Sequence, residues 1–185
     1  HHVVTRRQRQ MCIRDRLQSL PYEDLGFAKV DHHRAVRTGL PEVIFGAGKT
    51  APQIIDISKS LHAHGHNVLA TRIDADKAAA VQAALPEMQY REQAQTLVLQ
   101  SHPPIPCGRG TILVVAAGTS DIPVADEAIV TAELMGHQVE HLYDVGVAGI
   151  HRLLAHQEQL RAATVLIVVA GMELSLIHIS EPTRP

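Results

Sequence analysis

The sequence contains no tryptophan, only two cysteines and just 3% aromatic residues. Two cysteines, Cys12 and Cys107, cannot build the cross-linked framework of a small secreted domain, and their scarcity fits a reducing cytoplasm. No apolar run approaches the roughly 20 residues that cross a bilayer. The longest, from Thr164 to Met172, reads as a buried strand. Excess charge of one sign is missing too: a formal net charge of −2 favours neither a nucleic-acid nor a membrane partner. What remains is a 45% apolar chain rich in Ala, Val, Leu and Ile, the material of an α/β fold.

The two ends do not match the middle. Residues 1–16 carry five arginines without apolar periodicity, and they lack the 7–15-residue apolar stretch of a signal peptide. Residues 174–185, LSLIHISEPTRP, follow a strand pattern with no turn or helix start. Both strings resemble translated adapter sequence and are expected to be a non-native leader and tail. Between them lie 11 Lys/Arg against 17 Asp/Glu, an acidic balance.

The middle divides at a proline-rich stretch. Residues 17–100 are expected to form a small amino-terminal α/β domain, 101–110 a linker (SHPPIPCGRG), and 111–173 an incomplete parallel-sheet domain. Residues 17–42 suggest a short helix or an irregular lead-in. Glu42 to Phe45 reads as a strand, and Thr50 caps a helix through a Thr-x-x-Gln box that ends near Gly65. Asn67 to Ile73 is the next strand, Asp76 to Leu85 a helix behind Asp74, and Thr96 to Leu99 a strand. Beyond the linker, Thr111 to Ala117 has the continuous apolar character of a central parallel strand. A helix from Pro123 to Met135, a strand from Gln138 to Tyr143, a helix from His151 to Gln159 and a strand from Val165 to Ala170 follow. This β-α-β-α-β order predicts a parallel sheet with helices on its faces.

Several motifs invite chemistry. Gly46, Gly48 and Lys49 suggest a phosphate loop, but its first glycine would fall on Val43, which excludes it. The turn does fit GxGxxA through Gly46, Gly48 and Ala51, with Asp74 a strand later. A tight strand-to-helix turn without ligand is the simpler reading, and a nucleotide-binding module is the rival. His62, His64 and His66 could at most converge as the 62/66 pair on a helix, and His32-His33 have no partner at useful spacing. Neither group predicts a transition metal. Gly118, Thr119, Ser120 and Asp121 follow a strand and open a helix, where backbone N–H groups face a natural anion site.

Two blocks, LPYEDLGFAKVDHHR (20–34) and GLPEVIFGAGKT (39–50), resemble the amino-terminal region of the LarB family. The stretch from Gly118-Thr-Ser-Asp121 to Val169-Ala-Gly-Met-Glu173 is similar to the start of the PurE-type carboxylase fold, a flavodoxin-like three-layer sheet. The resemblance implies a carboxylase and hydrolase of nickel-pincer cofactor biosynthesis. Its reaction would carboxylate nicotinic acid adenine dinucleotide at C5 of the pyridinium ring and split its phosphoanhydride, releasing AMP. Substrates would be the dinucleotide, carbon dioxide or bicarbonate, and water, with no permanently bound cofactor; a magnesium ion in the whole protein stays open. The family likeness also implies a homo-oligomer. It assigns Gly118, Thr119, Ser120, Asp121 and Asp144 to substrate binding and Glu173 to catalysis, moving a proton or orienting bicarbonate or water. The expected nucleophilic cysteine would lie beyond Glu173, so the 185-residue chain is expected to be inactive in carboxylation. Aminoimidazole ribonucleotide carboxylases carry a Ser-Ala-His-Arg string where this chain has Tyr143-Asp144-Val145-Gly146, which argues against that rival.

Overall fold

A computed structural model of the chain describes residues 22–38 and 41–171. The leader with Cys12, the tail and Glu173 lie outside the described residues. The fold is α/β, as the composition implies, and its described residues form a four-stranded sheet, a three-stranded sheet and a two-stranded hairpin.

The opening segment is not the helix or irregular lead-in that its mixed sequence suggests. Strands β1 (Tyr22–Asp24) and β2 (Lys29–Asp31) pair antiparallel as a hairpin, and only a short helix, α1 (Arg34–Thr38), follows. The reversal is set by Asp24, whose carboxylate accepts the Gly26 N–H at 2.8 Å, an Asx-type turn. Strands of three residues are too short to leave a period-2 pattern, so the turn is their one legible signal.

Strand β3 (Val43–Phe45), helix α2 (Ala51–Ala63) and strand β4 (Val68–Thr71) form a parallel crossover unit. At the start of α2 the Thr50 N–H donates to Gln53 Oε1 at 3.0 Å, so the expected box is present in its Gln half. Ile54, Ile57, Ser58 and Leu61 bury one stripe of α2 at helical spacing. Helix α3 (Ala75–Ala84) leads to β5 (Gln89–Arg91), which the sequence reading missed, and then β6 (Thr96–Leu99). The sheet order is β3-β4-β6-β5, with β6 antiparallel to both neighbours, so this sheet is mixed. Its core gathers Ile44, Ile54, Leu61, Val68, Ile73, Val81, Met88 and Leu97.

Asp74 caps α3 by accepting the Lys77 N–H at 2.8 Å, and Lys77 Nζ stands 3.2 Å from the same carboxylate. That backbone bond first, and the Lys77 side chain second, hold the Asp74 pKa below its usual 3.8. A depressed carboxylate stabilises the fold above its unfolded pKa and loses that contribution as pH falls through the lower folded value. The stability gap between wild type and Asp74→Ala is therefore expected to be constant near neutrality and to close below about pH 4. Thermal unfolding of both proteins from pH 7 to 3 measures it; a gap that persists in acid would exclude the cap as its source.

The second sheet is all parallel. Strands β7 (Thr111–Ala116), β8 (Gln138–Leu142) and β9 (Val165–Val169) lie in the order β8-β7-β9. Helix α4 (Ile122–Leu134) covers one face, where Val114, Ala116 and Ala125 are buried together. Leu113, Val115, Leu142, Val145 and Leu153 fill the other face. The alternation along β7 thus serves two cores, giving three layers, as a continuous apolar strand requires. The helix expected over 151–159 is two short ones, α5 (Ile150–Leu154) and α6 (Gln157–Ala162), with Leu153 as the buried anchor.

The link between the sheets is fastened at both ends. Asn67 and His102 exchange two bonds, Asn67 Nδ2–H to the His102 carbonyl at 2.9 Å and His102 N–H to Asn67 Oδ1 at 3.0 Å. Ser101 Oγ donates to the His66 carbonyl at 3.0 Å. Further on, Cys107 N–H donates to the Gly136 carbonyl at 3.1 Å. Pro103 and Pro104 span the interval. Arg72, at the end of β4, adds an ion pair to Glu127 of α4 at 2.8 Å.

Candidate functional site

In an open parallel sheet, ligands settle at the carboxyl ends of the strands, where the strand order reverses. With order β8-β7-β9, that point lies between β7 and β9. Gly118, Thr119, Ser120 and Asp121 occupy it as the short 3₁₀ turn (Thr119–Asp121) that joins β7 to α4. Asp121 is the organising group. Its Oδ2 accepts the Gly118 N–H at 3.0 Å, and its Oδ1 accepts the Gly171 N–H, just past β9, also at 3.0 Å. One carboxylate therefore joins the carboxyl ends of two adjacent strands. The turn is not a bare anion cradle, because the Gly118 donor is already taken. It offers an acidic acceptor suited to ribose hydroxyls beside exposed Thr119 and Ser120.

Asp144 lies just beyond β8 with φ of 57°, a left-handed conformation that aspartate tolerates better than most residues. Its carboxylate pairs with Arg152 of α5. The Val145 N–H donates to the Ala116 carbonyl at 3.2 Å, and a Cβ on Gly146 would stand 2.7 Å from the Ala117 carbonyl oxygen. These contacts seat the β8 turn against the end of β7, so Asp144 and Asp121 flank the same strand. His151, on exposed surface of α5, supplies nothing comparable to a histidine placed at that turn.

Cys107 is at the other end of the sheet. Its Sγ lies 3.1 Å from the Met135 carbonyl, ahead of β8, and the residue is exposed. Strand β7 separates it from Gly118 by about 20 Å, at some 3.3 Å per residue. It therefore stands outside the crevice of its own chain.

Gly46 has a packing role. A Cβ there would lie 2.2 Å from Ile73 Cδ1 and 2.9 Å from the Thr71 carbonyl oxygen, and the Gly46 N–H donates to that oxygen at 2.8 Å. Lys49 Nζ turns back onto the Phe45 carbonyl at 3.0 Å. Both features belong to a tight strand-to-helix turn.

Two groupings were not legible in the sequence. A cavity of about 440 Å³ is lined by Tyr90, Arg91, Asp126, Glu133, His141 and Tyr143 among others. The Tyr143 hydroxyl donates to Asp126, and the His141 ring stacks on Tyr143 at 4.4 Å. Burial first, and the Asp126 carboxylate second, push the Tyr143 phenol far above its usual range, so it stays a donor. The other grouping joins Glu23 of β1, His32 after β2, and Ser60 and His64 at the end of α2. His32 Nε2 lies 3.2 Å from Glu23 Oε2 and 3.4 Å from Ser60 Oγ, and the His64 ring stacks on it at 3.6 Å. Burial lowers the His32 pKa, His64 adds to the effect, and Glu23 only partly opposes it; the Ser60 hydroxyl meanwhile lowers the Glu23 pKa. Both shifts work toward an uncharged ring beside a charged carboxylate. His62 and His66, the two that helical spacing could bring together, make other contacts: His62 Nδ1 meets Ser101 Oγ at 2.9 Å, and His66 stacks 6.2 Å from His32.

No helix among the described residues is long and apolar enough to cross a membrane. Residues 22–102 match the family described as LarB/PurE-like N-terminal domain. An uncharacterized protein of Methanocaldococcus jannaschii is 37% identical over 155 residues, covering 80% of this chain. The match takes in 60% of that relative's length.

Proposed function

We propose, from the match of residues 22–102 to the LarB/PurE-like N-terminal domain family, that the protein containing this chain carboxylates the pyridinium ring of nicotinic acid adenine dinucleotide at C5 and cleaves its phosphoanhydride to release AMP. The observation that carries this reading is the crevice at the β7/β9 switch point, where Asp121 holds the Gly118 and Gly171 N–H groups. A ribose fits such a site: the carboxylate accepts a sugar hydroxyl beside the exposed Thr119 and Ser120.

The chemistry needs more than binding. A pyridinium carbon is electrophilic and does not attack carbon dioxide. A thiolate adding at C4 breaks the aromaticity and leaves C5 enamine-like and nucleophilic. C5 then forms its bond to carbon dioxide. A base removes the C5 proton, the ring rearomatises, and the thiolate departs. Glu173 is the proposed base and lies outside the described residues. Cys107, at the opposite sheet edge, is not the nucleophile, so the 185-residue chain is expected to leave the dinucleotide unchanged.

The test uses the full-length protein with labelled carbon dioxide and the dinucleotide. Label incorporation together with AMP release is expected. Asp121→Ala should lower kcat/KM about 10–100-fold, the loss of a hydrogen bond to a charged group. Turnover of aminoimidazole ribonucleotide in place of the dinucleotide would move the protein to purine chemistry. Activity on neither would remove the proposal.

A further inference from the structure

The Glu23, His32 and His64 side chains lie far from the crevice in sequence and belong to the other sheet's domain, and the proposed reaction gives them no task. They come from three different elements: β1, the residue after β2, and the last turn of α2. One potential ligand atom from each lies within 4.8 Å of the other two. We propose that these three residues bind a divalent transition ion of the zinc class, clipping the β1-β2 hairpin onto the carboxyl end of α2.

Four observations support the assignment. Two imidazoles and one carboxylate form a donor set that zinc takes in three-ligand sites, with water in the fourth position. His64 Nδ1 lies 2.8 Å from the Ser60 carbonyl oxygen, so this nitrogen donates and leaves Nε2 as a lone pair for a metal. Such a bond to a backbone carbonyl is the usual device that fixes the tautomer of a ligating histidine. Ser60 Oγ donates to Glu23 Oε2 and so orients the carboxylate from outside the ligand set. Finally, the buried His32 turns its Nε2 toward the cluster, 3.2 Å from Glu23 Oε2 and 3.4 Å from Ser60 Oγ.

The geometry also states what must move. Tetrahedral zinc with bonds near 2.0–2.1 Å sets donor atoms about 3.3 Å apart, so the cluster must contract. The His32 and His64 rings are stacked with 21° between their planes, and stacked rings do not aim two lone pairs at one point. His64 is the exposed member, at the C-cap of α2, and is the ring that must turn about its Ser60 hydrogen bond while buried His32 stays in place. Two residues on, His66 is held by the chain reversal at Gly65 and by its own stacking on His32, so it is not among the ligands.

The experiment is a titration of the chelator-stripped 185-residue chain with Zn²⁺, read by competition with a chromophoric chelator, and with Co²⁺, read by visible absorption. One tight equivalent and the intense bands of tetrahedral cobalt are expected. His64→Ala and Glu23→Gln should each weaken Zn²⁺ binding at least 10-fold, the lower bound for even an outer-shell loss. His156→Ala and Cys107→Ser should leave it within about twofold, a change no larger than an uninvolved surface site allows. Because His32→Ala opens a buried site, the exposed His64 carries the decisive variant, with circular dichroism reporting that it folds. Binding unchanged in His64→Ala and Glu23→Gln, binding abolished in Cys107→Ser, or no stoichiometric binding would each overturn the proposal.

Discussion

Gly136→Ala is expected to destabilise the protein by about 2–5 kcal/mol, whereas Gly65→Ala should cost about 1–2 kcal/mol. The two glycines occupy the same position in the same motif. Each follows a helix, with φ of +88° at Gly136 and +73° at Gly65. Each motif pairs a 6→1 with a 5→2 bond: His137 N–H to Ala132 and Gly136 N–H to Glu133 in one, His66 N–H to Leu61 and Gly65 N–H to His62 in the other. The left-handed backbone penalty for alanine is therefore shared. Space is not. A Cβ on Gly136 would stand 2.2 Å from the Ile105 carbonyl oxygen and 2.9 Å from its carbon, both backbone atoms. At Gly65 the nearest atom is the end of the His102 side chain, at 3.9 Å. Urea unfolding of both variants isolates the collision as the difference in free energy. Equal losses would mean that the link yields to α4 without cost.

Leu113→Ala should remove about 2–5 kcal/mol, the range for emptying a leucine site in a close-packed core. Leu113 is fully buried on β7, the central strand of the parallel sheet, and belongs to the cluster of Val115, Leu142, Val145 and Leu153. Among the described residues, that face is closed by two short helices of five and six residues. Val124 on α4, 40% exposed, provides the contrast: Val124→Ala is expected within about 0.5 kcal/mol of wild type. Thermal or urea unfolding measures both. A Leu113→Ala loss below about 1 kcal/mol would show that the short helices collapse into the vacated space.

The parallel sheet was legible because its strands are long enough to carry a pattern. Six consecutive residues from Thr111 to Ala116, nearly all apolar, fit only a strand covered on both faces. Helix starts were legible where chemistry marks them, at Thr50 with Gln53 and at Asp74. The hairpin was not, since three residues carry no period; only Asp24 and Gly26 betrayed it. The break between α5 and α6 has neither glycine nor proline at Ala155-His156, so local propensity gave no warning. Tertiary packing around Leu153 decides it. As for the sites, the turn at Gly118 could be located from its strand and helix, but the grip of Asp121 on Gly171 joins residues that sequence places far apart. The meeting of Glu23, His32 and His64 is of the same kind. Spacing arguments weigh histidines against their neighbours along one helix, and here the partners arrive from a hairpin that was not foreseen.

The bond from Asp121 to Gly171 spans 50 residues of chain. Closing so wide a loop is entropically slow, and nothing rewards it until the intervening β8 and β9 have docked on β7. During synthesis the crevice therefore matures only after β9 has emerged and docked. A nascent chain could display a well-formed first domain while still having no receptive pocket at all.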